Sequence, residues 1–188
     1  VLALGRIQPV FRARRSVPFG PEFLLFLLFS PLFHYTLNFS FYNIRSHFRL
    51  LRKPGNVYLG LVHRLDRPVG GIMIFAKTSK AASRLSNQVR EKIFKKEYLA
   101  VVDGKITTRS GTLENYLYKD ERNNMSKVVN KDKKNAKLAK LDYEVVTYNE
   151  VKNLSLLKIN LHTGRHHQIR VQLSNFGHSI FGDQKYGT

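Results

Sequence analysis

The sequence predicts an α/β domain of the α+β type, and three features of its pattern indicate this class. Short apolar runs at residues 57–62 and 72–76 flank a polar loop, as two strands joined by a loop would. Apolar residues recur every four positions over residues 81–93, which indicates one buried face of a helix. Residues 111–149 and 154–161 alternate apolar and polar side chains, which favours several antiparallel strands.

Basic residues outnumber acidic ones by a wide margin. The 188-residue chain has 32 Lys and Arg against 13 Asp and Glu, a net charge of +19 and a pI of about 10.3. Without residues 1–42, which hold four arginines and one glutamate, 28 basic and 12 acidic residues still leave a net charge of +16. This excess predicts a polyanionic partner, nucleic acid first and an anionic membrane surface second. The length suits one domain with its own core.

The chain contains no cysteine. Disulfide bridges, thiolate metal sites and a thiol nucleophile are therefore excluded, and the composition fits a reducing compartment. We expect a cytoplasmic protein, or an organellar one if the N-terminal segment is a targeting sequence.

Residues 1–42 differ in composition from the rest of the chain. They hold eight of the 13 phenylalanines, and Phe23–Phe29 is an unbroken apolar run that follows three arginines. The outline resembles a signal peptide, but the run is too short to span a bilayer, which takes about 20 apolar residues. We interpret this segment as foreign to the domain, which we place at residues 43–188. Because the chain begins with Val1, we expect it to be a fragment.

From residue 43 onward the elements can be assigned in order. An apolar stripe over residues 44–51 predicts a short helix, and Thr78 or Ser79 can cap the helix that continues to residue 93. The predicted strands are 57–62, 72–76, 97–102, 112–118, 125–129, 137–148 and 154–161.

The last helix is predicted from Thr163 to Phe176. Thr163 can cap its start, three apolar residues form a buried stripe, and Gly177 supplies a left-handed stop. Arg170 falls on a different face, so its side chain can point at whatever the helix packs beside. From the residues alone, Arg170 is most simply a surface arginine.

One aspartate, Asp66, lies between two arginines in the loop that follows the first predicted strand of the domain. Arg64 and Arg67 favour its ionised form, because nearby positive charge stabilises a carboxylate and arginine keeps its proton. The carboxylate suits a nucleophile or fixed anion, and it equally suits an ion pair in a connecting loop. His63 and Arg64 also suggest the His-Arg-Asp loop of protein kinases, but the order of Leu65 and Asp66 is wrong and no Gly-rich phosphate loop precedes it.

Four segments stand out by their order and spacing. They are Gly60-Leu-Val-His-Arg-Leu-Asp-Arg-Pro-Val-Gly-Gly71, Lys95-Lys-Glu-Tyr-Leu-Ala-Val-Val102, Thr163-Gly-Arg-His-His-Gln-Ile-Arg-Val-Gln-Leu173 and Gly182-Asp-Gln-Lys-Tyr-Gly187. Together they resemble the RluA-type RNA pseudouridine synthases, and the first resembles the active-site motif of that family. Two further signatures of the family, Asn-Lys-Pro-x-Gly upstream and Leu-His-Ala downstream, are not found. We therefore expect a domain truncated at both ends.

The resemblance implies a fold and a chemistry. The fold is the pseudouridine synthase fold, a mixed and mostly antiparallel sheet flanked by helices. The reaction isomerises a uridine in RNA to pseudouridine, with no cofactor and no metal. Asp66 is implied to be the nucleophile, at the sugar or at the base, and Arg170 its ion-pair partner. Tyr98 is implied to pack against the uracil and is a candidate for proton transfer at C2′. The alternative is an RNA-binding module of the same fold without catalysis.

An RNA partner, ribosomal or transfer RNA, is also implied, and we expect it to be bound by a monomer. Arg64 would fill the gap left by the base that is flipped out of the RNA. Asp183 and Tyr186 are expected to hold the closing loop. The other candidates for contact with substrate or RNA are His63, Arg67, Arg165, His167 and Gln168.

Three histidines near the last predicted helix, His162, His166 and His167, raise the question of a metal site. Gly164 interrupts their helical spacing, no carboxylate lies nearby in the sequence, and two neighbouring arginines oppose a cation, so we expect no zinc. A membrane-associated basic protein, led by the apolar run Phe23–Phe29, is the least favoured class.

Overall fold

The computed structural model describes residues 8–10, 23–28, 58–66, 69–91 and 93–187, the first two ranges by their backbone alone. The helix predicted over residues 44–51 and the candidate Arg67 lie outside these residues. The chain forms two compact units, of which the first comprises Val1–Arg12 with Lys95–Thr188 and the second Ala13–Phe94.

Nine strands and two helices lie in the part of the chain that the structure describes. In chain order the strands are β1 (Gln8–Val10), β2 (Phe23–Leu28), β3 (Gly60–Leu61), β4 (Gly71–Ala76), β5 (Glu97–Asp103), β6 (Ser110–Asp120), β7 (Met125–Val129), β8 (Lys137–Asn149) and β9 (Leu154–Leu161). The helices are α1 (Ser79–Arg90) and α2 (Gln168–Asn175). Every pairing between these strands is antiparallel. The predicted α+β class with a mostly antiparallel sheet is confirmed.

The first unit contains a sheet with the strand order β1-β5-β9-β8-β6-β7. Short polar turns join its neighbouring strands. Asn124 and Asn153 take positive φ angles of 47° and 50° in two of these turns, a backbone conformation that asparagine tolerates better than most residues. The five strands predicted for this unit match β5 to β9 to within two residues at each end, because alternation and turn residues are local signals, whereas β1 was not predicted.

One face of this sheet carries the core of the first unit. Leu141, Leu157 and Ile159 are fully buried on adjacent strands, where alternate side chains point to the same side. Helix α2 packs on this face, with Val171 against Leu117 and other residues of β6 to β8. The opposite face is polar and partly exposed, as expected for an antiparallel sheet.

The second unit contains a sheet with the order β2-β4-β3, and α1 packs against β4. Ile74 and Leu85 are buried in that contact. The predicted cap is confirmed, since the Thr78 hydroxyl accepts the Ala81 N–H at 3.1 Å. The predicted helix end is wrong: α1 ends at Arg90, and Ile93 is 56% exposed instead of buried.

The predicted first strand, 57–62, is also shorter than expected. Only Gly60–Leu61 is paired as β3 among residues 58–62. After it the chain leaves the ladder and enters the loop that contains Asp66.

Residues 1–42 supply two of the described strands. Strand β1 pairs with β5, and β2 pairs with β4 over six residues. The domain boundary at residue 42 stays a prediction.

No helix within the described residues has the length and apolar character that a bilayer crossing requires.

Helix α2 differs from its prediction at the N-terminus. It begins at Gln168, five residues after Thr163, and its N-cap residue His167 has a left-handed backbone with φ 51°. Thr163 does not cap the helix, because its hydroxyl accepts the Lys140 N–H of β8 at 2.8 Å. The predicted stop at Gly177 is confirmed by its φ of 89°.

Candidate active site

The loop between β3 and β4 carries Asp66. The Asp66 carbonyl accepts the N–H of Val69 at 3.0 Å, and the residue is half-buried. A loop that leaves and re-enters one antiparallel pair holds its side chains near two paired strands, which limits their movement. Asp66 thus occupies a supported loop of the second unit.

His63 ties the start of this loop to β4. Its Nε2 atom accepts the backbone N–H of Ile74 at 3.2 Å, a bond that requires the tautomer with its proton on Nδ1. The ring takes over the role of a backbone acceptor where the β3–β4 ladder has ended. His63 is therefore placed to hold the loop, whereas Arg64 is exposed and directed to solvent.

Tyr98 lies near the start of β5 on the core face of the larger sheet. It is paired with Ile159 in the β5–β9 ladder and is half-buried. Burial raises the pKa of the Tyr98 phenol above its ordinary value of 10.0, because desolvation disfavours the phenolate. The side chain is thus a neutral phenol at neutral pH, which can stack on an apolar face and donate a hydrogen bond.

Arg170 is buried on α2 and not on the surface, contrary to the simplest expectation for a lone arginine. Its Nε atom donates to Asp183 Oδ2 at 2.7 Å and its Nη2 atom donates to Oδ1 at 2.6 Å. The guanidinium carbon lies 5.1 Å from the centre of the Tyr186 ring. The predicted pairing of Arg170 with Asp66 concerns residues of different units and stays a prediction.

Asp183 is held as an anion in this position. Burial, the largest single influence, would raise its pKa, but hydrogen bonds from Arg170 and from the N–H groups of Lys185 and Tyr186, with the charge of Arg170, together lower it. Its Oδ1 atom accepts the Lys185 N–H at 2.9 Å and the Tyr186 N–H at 3.3 Å. The expectation that Asp183 holds the closing loop understated its role, because it also binds Arg170.

Tyr186 joins three parts of the first unit through its hydroxyl. The oxygen accepts the Ser126 N–H of β7 at 2.8 Å and lies 2.8 Å from His167 Nδ1. The Ser179 hydroxyl donates to the Tyr186 carbonyl at 3.0 Å. The turn at residues 183–187 is therefore fixed to the edge strand and to the start of α2.

Gln168, a candidate for RNA contact, is placed inside the protein. Its side chain is only 3% exposed, its Oε1 atom accepts from the Thr163 hydroxyl and the Arg165 N–H, and its Nε2 atom donates to Lys140 O and Gln172 Oε1. This burial does not fit direct contact with RNA. Gln168 instead shapes the turn that presents Arg165.

Arg165 is exposed at this turn, as a residue that contacts RNA must be. Its Nε atom donates to the Leu138 carbonyl at 2.8 Å, which fixes the side chain part of the way along its length. The terminal Nη groups then extend from an anchored base, so less rotamer freedom is lost when they bind an anion.

The three histidines each have protein partners. His166 and His167 stack at 3.7 Å, and His166 Nδ1 lies 2.9 Å from the Ser126 hydroxyl. His162 Nε2 lies 2.6 Å from Asp142 Oδ2. Asp142 is 20 residues away in the sequence, and the sequence pattern did not predict that it pairs with His162. In the described part of the chain, no group of three or more His, Cys, Asp or Glu residues could hold a metal ion.

A family model described as RNA pseudouridylate synthase matches residues 30–175 of the chain. The match includes the Asp66 loop, Tyr98 and Arg170. The chain belongs to this family, whose members are isomerases that act on RNA, and the resemblance to its RluA-type members is confirmed. The match begins at residue 30, inside the segment interpreted as foreign to the domain.

Two relatives indicate how much of a full-length protein the chain represents. An uncharacterized RNA pseudouridine synthase of Bacillus subtilis is 36% identical over 126 residues, which are 67% of this chain and 41% of the relative. Ribosomal large subunit pseudouridine synthase C of Buchnera aphidicola is 39% identical over 155 residues, 80% of this chain and 46% of the relative. The chain thus spans less than half the length of these relatives.

A solved structure shares the fold. Human RNA pseudouridylate synthase domain containing 1 superimposes with a TM-score of 0.73 at 23% identity, covering 97% of this chain and 70% of the human one. At this identity the likeness shows the fold alone.

Proposed function

We propose that the protein isomerises uridines of structured RNA to pseudouridine, with ribosomal RNA as its first substrate class and transfer RNA as the second. The observation that carries this proposal is the family match over residues 30–175, which contains Asp66, Tyr98 and Arg170. Relatives named for the large ribosomal subunit, such as those of Buchnera aphidicola and Zymomonas mobilis, favour ribosomal RNA.

In the simplest sequence of steps, Asp66 acts as nucleophile at C1′ of the sugar. Its carboxylate forms a bond to C1′ while the C1′–N1 bond breaks, and the uracil leaves with the electron pair. The base rotates, C5 bonds to C1′, and Asp66 is released. The proton on C5 passes to solvent and N1 gains a proton, so atoms and electrons balance with no redox partner. Attack of Asp66 on the base remains the alternative route.

Arg170 and Tyr98 support this reaction in different ways. The resemblance to the family assigns Arg170 the role of keeping Asp66 ionised, which an arginine can fill because it does not release its proton. Tyr98 stacks on the detached uracil. Since burial raises its pKa, the phenol favours stacking and donation of a proton over removal of one.

Charge supplies much of the RNA affinity. The net charge of +19 attracts phosphates, Arg64 fills the gap left by the flipped base, and Arg165 contacts the backbone from its anchored position. Extrusion of the base costs roughly a few kcal/mol, least for a uridine in a loop.

The test follows the C5 proton. Large-subunit ribosomal RNA transcribed with [5-³H]uridine loses tritium to solvent on each turnover, and we expect release by the wild-type chain and none by Asp66→Asn. Asp132→Asn, which removes the same charge from an exposed loop, is the control and should retain full release. RNA binding should persist in all three proteins. Wild type that binds RNA but releases no tritium supports instead the RNA-binding module without catalysis.

A further inference from the structure

One end of the larger sheet carries aromatic and basic side chains on the face turned away from its core. Tyr116 and Tyr118 of β6 lie on either side of the buried Leu117, so both point to this outer face. Leu138 of β8 lies directly opposite Tyr116 and is 37% exposed. This tyrosine–lysine face comprises Tyr116, Tyr118, Lys127, Val129, Lys133 and Leu138.

We propose that the tyrosine–lysine face binds unpaired RNA, with bases stacked on its rings and phosphates bound by its lysines. Surfaces that hold single strands combine these two features, aromatic side chains for the bases and positive charge for the backbone. The sheet separates this face from Tyr98 and from helix α2 with Arg170, so the face is distinct from the candidate active site. The choice of RNA as the polyanion rests on the proposed function.

The positive charge at this face is not neutralised by the protein itself. Residues 127–137 contain five lysines and one aspartate. In the part of the chain that the structure describes, none of these five lysines forms an ion pair. Asp120, the acidic residue at the end of β6, is engaged in its own turn, where its carboxylate accepts the backbone N–H groups of Arg122 and Asn123. The lysines therefore remain available to attract phosphates.

The lysine-rich loop after β7 has an ordered backbone that brings Lys133 to the face. The Lys133 N–H donates to the Asn130 carbonyl at 3.1 Å, and the Ala136 N–H donates to the Lys133 carbonyl at 2.9 Å. These bonds form two successive turns, and they place Lys133 Nζ 5.4 Å from the centre of the Tyr118 ring. An exposed cation–π contact is weaker than base stacking, so a base can displace the ammonium, which then lies close to the adjoining phosphate.

Arg165 lies where the tyrosine–lysine face meets the other side of the sheet. The β8–β9 pairing ends at Leu141, and Arg165 Nε donates to the carbonyl of Leu138 beyond that end, at 2.8 Å. The Leu138 side chain lies on the tyrosine–lysine face, whereas the Arg165 turn leads to helix α2 on the core face. An RNA strand that contacts Arg165 can therefore continue past Leu138 onto Tyr116.

The test is fluorescence anisotropy with a labelled oligoadenylate of about ten nucleotides, a length within the site size of such surfaces. Adenylate offers no uridine for the proposed reaction, and stacking tolerates any base. We expect Tyr118→Leu to raise the Kd by about fivefold or more, and Tyr118→Phe to keep the wild-type Kd because it keeps the ring. Lys127→Gln should reduce the salt slope by about 0.7. A wild-type Kd in Tyr118→Leu, or equal losses in the two Tyr118 variants, overturns the proposal.

Lys105 and Tyr148 provide the matched control outside the face. Lys105 Nζ lies 5.3 Å from the centre of the Tyr148 ring, near the opposite end of β8. The pair thus has the same residue types and the same kind of contact as Lys133 and Tyr118. Tyr148→Leu and Lys105→Gln should keep the wild-type Kd and salt slope. Losses equal to those of the Tyr118→Leu and Lys127→Gln variants would mean that binding is not specific to this face, and would overturn the proposal.

A second measurement uses the wild-type protein alone and needs no folded variant. On addition of the oligoadenylate, the NMR signals of the Tyr116 and Tyr118 ring protons should shift, because stacked bases exert ring currents, while those of Tyr148 should not. If vesicles of anionic phospholipid shift these signals and the oligoadenylate does not, the face is a membrane surface and the proposal is overturned. If the wild type releases no tritium from ribosomal RNA, the proposed function fails, and the shifts still decide whether the face binds RNA.

Discussion

The hydroxyl of Tyr186 accepts the backbone N–H of Ser126 at 2.8 Å, a bond between residues 60 positions apart in the sequence. Ser126 is 3% exposed and lies on β7, which is at one edge of the larger sheet among the strands that the structure describes. The bond joins the closing turn to the sheet, and Asp183 and Arg170 depend on the same turn. Stability of this corner and geometry of the candidate site are therefore linked.

Tyr186→Phe removes that acceptor and leaves the ring in place. We expect a loss of about 1–3 kcal/mol in unfolding free energy, because the buried Ser126 N–H loses its partner. Urea unfolding followed by circular dichroism measures the change. Tyr148→Phe is the control, since its hydroxyl bonds Asn153 at the surface, and it should cost less than about 0.5 kcal/mol. Equal effects of the two changes would contradict the assigned role of Tyr186.

The sequence predicted most strands of the larger sheet because their signal is local. The strand at Met125–Val129 was predicted with the observed ends, and the predicted 137–148 differs from β8 by one residue. The alternation of apolar and polar residues and the turn residues are signals that span only a few positions, so strands can be predicted from them without knowledge of tertiary contacts.

The start of α2 and the partner of Arg170 were not predictable in this way. The sequence predicts Thr163 as the cap of the helix, but its hydroxyl accepts the backbone N–H of Lys140, which lies 23 residues earlier on β8. Asp183 lies 13 residues after Arg170, a separation that no helical or strand period relates. Only the presence of Asp183 in a family motif could have drawn attention to it.

The decrease of the unfolding free energy at acid pH should depend on Asp183. Its pKa in the folded protein is below the ordinary value of 3.8, so the folded state binds fewer protons than the unfolded chain near pH 4. The stabilisation is complete above the ordinary value and is lost as pH falls through the lowered pKa. We expect the unfolding free energies of wild type and Asp183→Asn to converge as pH falls below about 4. A difference that stays constant down to pH 2 would exclude this linkage.

Gln168→Leu tests whether the buried amide shapes the Arg165 turn. The change removes the partners of the Thr163 hydroxyl and the Arg165 N–H, so we expect about 2 kcal/mol of lost stability and weaker RNA binding. Filter binding at several salt concentrations measures the affinity. Arg165→Gln should weaken binding and reduce the salt slope by about 0.7, the value for one phosphate contact with a single strand.

Gln184→Leu provides the matched control for this pair of variants, because Gln184 is exposed in the closing turn. It should change neither stability nor salt slope. If Gln168→Leu lost stability but kept wild-type affinity and slope, the turn would not need Gln168 to present Arg165.

His63→Phe tests the support of the Asp66 loop. The substitution keeps a planar ring but removes the Nε2 acceptor, so the Ile74 N–H loses its partner at a cost of about 1 kcal/mol. We expect faster hydrogen exchange at the Ile74 amide, while the Leu85 amide in α1 keeps its wild-type rate.

In the wild type, ¹⁵N shifts of the His63 ring should show the proton on Nδ1, because a nitrogen that accepts a backbone N–H carries none. Tritium release should fall as the loop loosens, since His63 precedes Asp66 by three residues. A wild-type exchange rate at Ile74 in the variant would show that the ladder end does not rely on this ring, and the loop would then need another support.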